Sequence, residues 1–224
     1  ILGTIGFIWR ELTCEHPIVD LHVLKKGNVA IGTILSFILG FGLFSSVFIY
    51  PVFVQRFLGF TAFQTGLSLL PGALLSGFMM PIVGTLLAKG IQPKFLIPFG
   101  FIIFASFTFL MSHIITAQTG EEQFTFPLIL RGIGLGFLFV PLTAQSLAGL
   151  QGRDIGSAAG LTGMVRQLGG SFGVAICSTF IARLTYQHRT DMVSHISIYD
   201  NATMERLNAL TQGIAAKTGS VVSA

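Results

Sequence analysis

Apolar residues along this chain form long blocks that short polar breaks separate. The complete blocks cover residues 28–57, 63–88, 95–117, 124–150 and 155–186. Each block has at least the roughly 20 residues that a helix needs to cross a bilayer. Within lipid, the backbone must satisfy its own hydrogen bonds, which helices do internally. The pattern therefore predicts five full transmembrane helices.

The regions on either side of these blocks have a different character. Residues 1–9 are apolar from the first position, which predicts the end of a truncated transmembrane helix. Residues 10–27 mix both charges and contain Pro17, which predicts a linker at the membrane surface. Residues 187–224 are polar, with apolar side chains at helical spacing from Met204 onward, which predicts an amphipathic segment before a missing last helix.

Basic residues near the short connections indicate the orientation of the chain. Lys25 precedes the first block, Lys89 joins the second to the third, and Arg153 joins the fourth to the fifth. If the blocks alternate in direction, these connections share one side, and the positive-inside rule makes that side cytoplasmic. The linker at 10–27 is then cytoplasmic and the segment at 187–224 is extracytoplasmic.

Composition excludes several classes of protein. Of the 224 residues, 52% are hydrophobic and 10% are charged, whereas soluble domains carry charge on about 25% of their residues. The net charge of +4 comes from basic residues near block ends, not from a cluster on one face, so nucleic-acid binding is not predicted. We find neither the ligand spacing of a metal site nor a nucleophile–base–acid set. The chain is predicted to be no enzyme and to need no metal or other cofactor.

The few polar side chains inside the blocks are candidates for a transport site. Arg166 and Gln167 lie about eleven residues into the fifth block, well below the surface at 1.5 Å per residue. A charge at that depth usually faces a cavity or a partner, although Arg166 could also extend towards the cytoplasmic headgroups. Arg131 lies nearer a helix end, where such extension is favoured. Weaker candidates for cavity lining are Gln145, Tyr50 and Gln55.

Acidic residues are missing from the blocks. No Asp or Glu lies inside any of the five. Proton-coupled transporters use an intramembrane carboxylate or histidine that titrates during the cycle. If this chain belongs to such a transporter, the coupling carboxylate is expected outside these residues.

Glycines recur four residues apart in the last two blocks. This spacing lets helix backbones approach closely. It fits either static helix packing or smooth interfaces that slide as a transporter changes conformation. The helix-packing candidates are Gly132 and Gly136, Gly156 and Gly160, and Gly169 and Gly173.

Several short motifs, taken in order, share a resemblance. They are Glu15-His-Pro-Ile-Val-Asp-Leu21, Tyr50-Pro-Val-Phe-Val-Gln55, Gln64-Thr-Gly66, Arg131-Gly-Ile-Gly-Leu-Gly136 and Arg166-Gln-Leu-Gly-Gly-Ser-Phe-Gly173. Together they resemble the fourteen-helix drug/proton antiporters of the major facilitator superfamily, the EmrB/QacA type, over nearly the whole chain. One motif departs from that superfamily's pattern. Where a Gly-x-Leu-x-Asp-Arg gate loop is common, Gly84 and Lys89 remain but Ala88 replaces the acid, which makes the loop degenerate.

The resemblance implies an all-α polytopic membrane protein. This chain would be the C-terminal half of a major facilitator helix bundle, with five full transmembrane helices plus a truncated one. The intact protein would export drugs or other amphipathic small molecules from the bacterial inner membrane, in exchange for protons, by alternating access. Its partners would be membrane lipid, the small-molecule substrate, protons and the N-terminal half of the same transporter, with a periplasmic adaptor left open. The alternatives are a narrow-specificity exporter of a metabolite or siderophore, and a non-transporting membrane scaffold.

Overall fold

The described residues form a bundle of long helices. The computed structural model describes residues 27–114, 121–194 and 211–212. Its helices are α1 (Gly27–Arg56), α2 (Ala62–Ala88), α3 (Pro93–Ile114), α4 (Glu121–Leu147) and α5 (Arg153–Ser194). All five are long and apolar enough to cross a membrane, and the described residues contain no strand. The predicted fold class is therefore confirmed, while the truncated helix at 1–9 and the linker at 10–26 lie outside the described residues.

The ends of α4 and α5 differ from the predicted spans. α4 starts at Glu121 rather than at residue 124, because acidic residues in a first turn interact favourably with the helix dipole. It ends at Leu147 rather than at residue 150, because the following turn contains Gly149 at a φ of 76°, a conformation that glycine adopts easily.

α5 runs to Ser194 rather than to residue 186. Residues 187–194 contain no Gly or Pro that would stop a helix. The start of the predicted extracytoplasmic segment is therefore part of α5. The rest of that segment, apart from residues 211–212, lies outside the described part of the chain.

A capping box fixes the start of α2. The Thr61 hydroxyl accepts a hydrogen bond from the Gln64 backbone N–H at 3.2 Å, and the Gln64 side-chain oxygen accepts one from the Thr61 backbone N–H at 2.9 Å. This reciprocal pair satisfies two backbone donors that a helix start leaves open. Gly59, at a φ of 72°, supplies the turn before it. The reversal between α1 and α2 is thus encoded locally.

α4 is the most buried of the five helices. It contacts α1, α2 and α3. In its most apolar stretch 50% of the residues are buried, compared with 11% in the corresponding stretch of α2. Because lipid is as apolar as a leucine side chain, this packing is driven by van der Waals contact rather than by exclusion of water. Two of the clusters of buried side chains join α1, α3 and α4: Tyr50, Val54, Phe107, Met111, Phe124 and Leu128, then Leu39, Ile97, Leu135, Leu138 and Leu142.

Glycine brings the backbones of α2 and α4 into direct contact. A Cβ built on Gly132 of α4 would overlap the Gly72 carbonyl oxygen of α2, and a Cβ on Gly72 would overlap the Leu128 carbonyl oxygen of α4. One turn along α4, a Cβ on Gly136 would overlap the Met79 side chain. At this crossing the two helices meet without intervening side chains.

The first part of α5 meets α1 in the same way. A Cβ on Gly169 would overlap the Phe37 carbonyl oxygen, and a Cβ on Gly173 would lie 2.6 Å from the Phe41 carbonyl oxygen. By contrast, no heavy atom of the described chain beyond their own helix lies within 4 Å of a Cβ on Gly156 or Gly160. Of the three predicted glycine pairs, Gly156 and Gly160 are the pair that contacts no other described helix.

By packing, the residues divide into two units, one ending at Ala175 and one starting at Ile176. The first unit contains α1 to α4 and the first part of α5. In the second, the rest of α5 exposes large apolar side chains, among them Phe180 at 64%.

Candidate functional site

Arg131 borders a cavity at membrane depth. It follows Glu121, the first residue of α4, by about 15 Å along the helix axis. Its side chain is partly buried, and its Nε is buried with no hydrogen-bond partner in the described part of the chain. The cavity has a volume of about 250 Å³. Its other walls are Leu69, Gly72, Ala73 and Ser76 from α2, with Leu128, Gly132 and Leu135 from α4.

Arg166 is held between α4 and α1. It lies about 20 Å from Arg153, the first residue of α5, along the helix axis. Its guanidinium carbon lies 4.8 Å from the centroid of the Phe139 ring on α4, within the range of a cation–π contact. A Cβ on Gly40 of α1 would overlap the Arg166 carbonyl oxygen. The Arg166 Nε is buried and finds no hydrogen-bond partner among the described residues.

Carboxylates in the described helices lie near the helix ends, away from these arginines. α1, α2 and α3 contain no Asp or Glu. α4 has Glu121 and Glu122 in its first turn, while α5 has Asp154 in its first turn and Asp191 near its end. The described membrane-spanning parts therefore place two cations at depth without a described counter-charge beside them.

Tyr50 and Gln55 connect α1 to α2. The Tyr50 hydroxyl lies 2.7 Å from the Ser68 hydroxyl, which itself donates to the Thr65 carbonyl. Because Ser68 has a single proton to donate, Tyr50 is the donor in this pair. Gln55 donates from Nε2 to the Thr65 hydroxyl at 3.4 Å. The Tyr50 ring also packs edge-on against Phe124 of α4, with centroids 5.6 Å apart.

Tyr50→Phe is expected to lower the free energy of unfolding by about 1 kcal/mol, because it removes one hydrogen bond and keeps the ring contact. The melting temperature of the detergent-solubilised intact transporter measures this loss. Tyr186→Phe is the matched control, since the Tyr186 side chain is 73% exposed. Equal melting temperatures for both variants would show that the Tyr50 hydroxyl contributes nothing to stability.

The remaining predicted residues lie apart from the two arginines or at the surface. Gln167 is exposed and borders a groove between α1 and α5 with Phe44. Gln145 is partly buried in the last turn of α4. Of the predicted degenerate gate loop, Gly84 lies within α2, where an added Cβ would meet no neighbouring atom of the described chain, and Lys89 is the exposed C-cap of α2.

A second cavity lies between α1 and α3, and its wall includes Tyr50, one of the predicted cavity-lining residues. Its volume is about 360 Å³. Gly42 gives it room, since a Cβ there would lie 3.0 Å from the Phe104 ring. Its walls are mainly apolar: Phe41, Gly42, Ser45, Ser46, Ile49, Tyr50, Phe53, Phe104, Phe107, Thr108, Met111 and Ser112. The sequence feature that could indicate such a cavity is its 22 phenylalanines. Phenylalanine, however, faces lipid as readily as it lines a cavity.

A membrane helix bundle with two intramembrane arginines and apolar cavities is compatible with a transporter. The family model described as Major Facilitator Superfamily matches residues 8–174. The chain belongs to the Major Facilitator Superfamily. The match includes Arg131 and Arg166, together with α1 to α4 and most of the first part of α5.

Bacterial members of this superfamily are similar over most of the chain. The fatty acid resistance protein FarB of Neisseria gonorrhoeae is 32% identical over 207 residues, which is 92% of this chain and 40% of FarB. The multidrug export protein EmrB of Haemophilus influenzae is 30% identical over 213 residues, 92% of this chain and 40% of EmrB. The lincomycin resistance protein LmrB of Bacillus subtilis is 30% identical over 182 residues, 81% of this chain and 38% of LmrB.

Superfamily membership determines the general class of the protein. Its relatives are membrane transporters rather than enzymes, and they act on small molecules. With five membrane-capable helices, the chain is a multi-pass protein of the bacterial inner membrane. It spans 38–40% of the length of these three relatives.

Proposed function

We propose that this chain is the C-terminal half of a secondary active exporter that moves amphipathic small molecules outward in exchange for protons. The similarity to FarB, EmrB and LmrB carries this proposal, because it covers 81–92% of the chain and all three names denote resistance or export. The N-terminal half of the same transporter supplies the opposing bundle. A periplasmic adaptor stays a prediction from the family resemblance.

Two features of the described helices support binding of amphipathic compounds. The cavity between α1 and α3 offers a mainly apolar wall with five aromatic residues among its twelve, and the intramembrane arginines offer charge beside apolar surface. Ligand sites usually combine a mainly apolar lining with a few placed polar groups. We assign Arg166 and Gln167 to the wall or the bracing of the central substrate pathway.

The open glycines on α5 support alternating access. The faces of Gly156 and Gly160 meet nothing in the described chain, and a face without side chains can slide against another bundle with little steric resistance. The carboxylate that binds the proton lies outside the described membrane-spanning residues, which contain none at the depth of the arginines.

The test is accumulation of fluorescent probes in cells that lack their own efflux pumps and express the intact gene. One cationic dye, ethidium, and one anionic amphiphile, dansylamino-undecanoic acid, cover both charge classes. We expect accumulation of at least one probe to stay several-fold below that of empty-vector cells, and to rise to their level when a protonophore collapses the proton gradient. The 224-residue chain expressed alone is the control and is expected to export neither probe, because it lacks the opposing half.

Empty-vector levels of both probes in energised cells would contradict the multidrug proposal. They would favour a narrow-specificity exporter or a scaffold instead. Low accumulation that persists without a proton gradient would contradict proton coupling alone.

A further inference from the structure

The cavity between α2 and α4 combines one cation with apolar walls. Arg131 is among the residues that line it, beside the apolar residues Leu69, Leu128 and Leu135. Gly72 belongs to the close crossing of the two helices, where a side chain would not fit. The site is thus a slot with a charge at its wall, built where α2 and α4 come into direct backbone contact.

The Arg131 guanidinium has unused hydrogen-bonding capacity. Its Nε is buried and makes no hydrogen bond to the described residues. Arginine is charged at any physiological pH and offers five donors in a fork that matches a carboxylate. Such a group, buried in a membrane helix, usually pairs with an anion or with backbone carbonyls.

The described chain offers Arg131 no acidic partner. From Gln123 to Gly152, the sequence has no Asp or Glu. The acids of α4 and α5 lie near the ends of those helices, and α1, α2 and α3 contain none. Any anion that pairs with Arg131 therefore comes from outside the described residues.

We propose that this cavity binds the carboxylate of an amphipathic anionic substrate, with Arg131 donating to it and the leucines contacting the adjoining hydrocarbon. This inference rests on the proposed export function and names its substrate class. The volume of about 250 Å³ lies below the roughly 300–1,000 Å³ of sites that enclose a whole drug-sized ligand. The slot is therefore sized for a charged head and the start of its chain, and the rest of the substrate lies beyond it.

The experiment measures equilibrium binding to the intact transporter in lipid nanodiscs, without a proton gradient. The probes are dansylamino-undecanoic acid and its uncharged methyl ester, followed by dansyl fluorescence. We expect the acid to bind more tightly than the ester to the wild-type protein. Arg131→Gln is expected to weaken binding of the acid by about tenfold, the range of a lost charged hydrogen bond, and to leave binding of the ester unchanged. Arg131→Lys, which keeps the charge, is expected to lose less.

Ser106→Ala is the control variant, since Ser106 is exposed on α3 and its hydroxyl donates to its own helix at the Ile102 carbonyl. It is expected to bind both probes like the wild type. Equal affinity of the wild-type protein for acid and ester would overturn the proposal, and this comparison needs no variant to fold. Equal weakening of both probes by Arg131→Gln, with a lowered melting temperature, would also overturn it and would make the role of Arg131 structural.

Binding and transport separate this inference from the export function on which it rests. Charge-selective binding that depends on Arg131, in a protein that exports neither probe from cells, would support the site and refute the exporter. Export that persists at the wild-type level in Arg131→Gln, with unchanged affinity for the acid, would refute the site and leave the exporter standing.

Discussion

Gly72→Ala is expected to destabilise the intact transporter, whereas Gly77→Ala on the same helix is expected to leave its stability unchanged or raise it slightly. A Cβ at Gly72 would overlap the Leu128 carbonyl oxygen and lie 3.1 Å from the carbonyl carbon. Because both partners are backbone, no side-chain rotation relieves the contact, and the helices must separate. Overpacking of this kind costs about 1–3 kcal/mol, while alanine in an open helical position gains up to about 1 kcal/mol over glycine.

The melting temperature of the solubilised protein, followed by fluorescence-detected size-exclusion chromatography, gives both values. Gly77 is the matched control because no heavy atom of the described chain outside its own helix lies within 4 Å of a Cβ there. An equal fall for both variants would contradict the expectation. It would place Gly77 against a part of the protein outside the described residues.

Arg166→Gln is expected to abolish most transport without lowering the melting temperature. An intramembrane arginine is costly to insert, by about 2.5–3.5 kcal/mol on biological insertion scales, so replacing it should not destabilise the fold. Its guanidinium lies over the Phe139 ring, a contact worth about 0.5–2 kcal/mol. The insertion cost of the charge exceeds the stabilisation from this contact, so we expect Arg166 to act in transport rather than in folding.

Proton-driven uptake into everted vesicles, which reports outward export, and thermal stability are measured on the same preparations of Arg166→Gln. Arg183→Gln on the same helix is the control, since Arg183 is exposed, and it is expected to transport at the wild-type rate. Phe139→Leu is expected to give an intermediate rate, because it removes the ring and keeps the charge. Wild-type transport by Arg166→Gln would assign that residue no functional role, and a fall in melting temperature would make its role structural.

The helices themselves followed from the sequence because lipid leaves the backbone few choices. An apolar block of sufficient length must satisfy its own hydrogen bonds, so each block became a helix. The ends were harder to place, since they depend on local conformations such as the positive φ of Gly149. The continuation of α5 to Ser194 does not follow from hydropathy, because the residues after 186 are polar and a polar sequence can continue a helix beyond the membrane.

The site was less predictable because its geometry depends on how the helices are rotated about their axes. Spacing identified Gly132 and Gly156 as equivalent packing positions, yet only the first faces another described helix. Counting residues placed Arg166 deep in its helix and Arg131 nearer a helix end. It did not give the Phe139 ring beside Arg166 or the α2 wall beside Arg131, since these come from elements far away in the chain.

The packing of α2 against α4 has a consequence for biosynthesis. α2 is synthesised two helices before α4. The face of α2 that contains Gly72 packs against the backbone of Leu128 and Gly132 in α4. The capping box at the start of α2 needs no later part of the chain, because Thr61 and Gln64 lie within a single turn. During insertion, α2 is therefore a correctly oriented helix whose main contact has not yet been made. Its assembly into the bundle waits for the synthesis of α4.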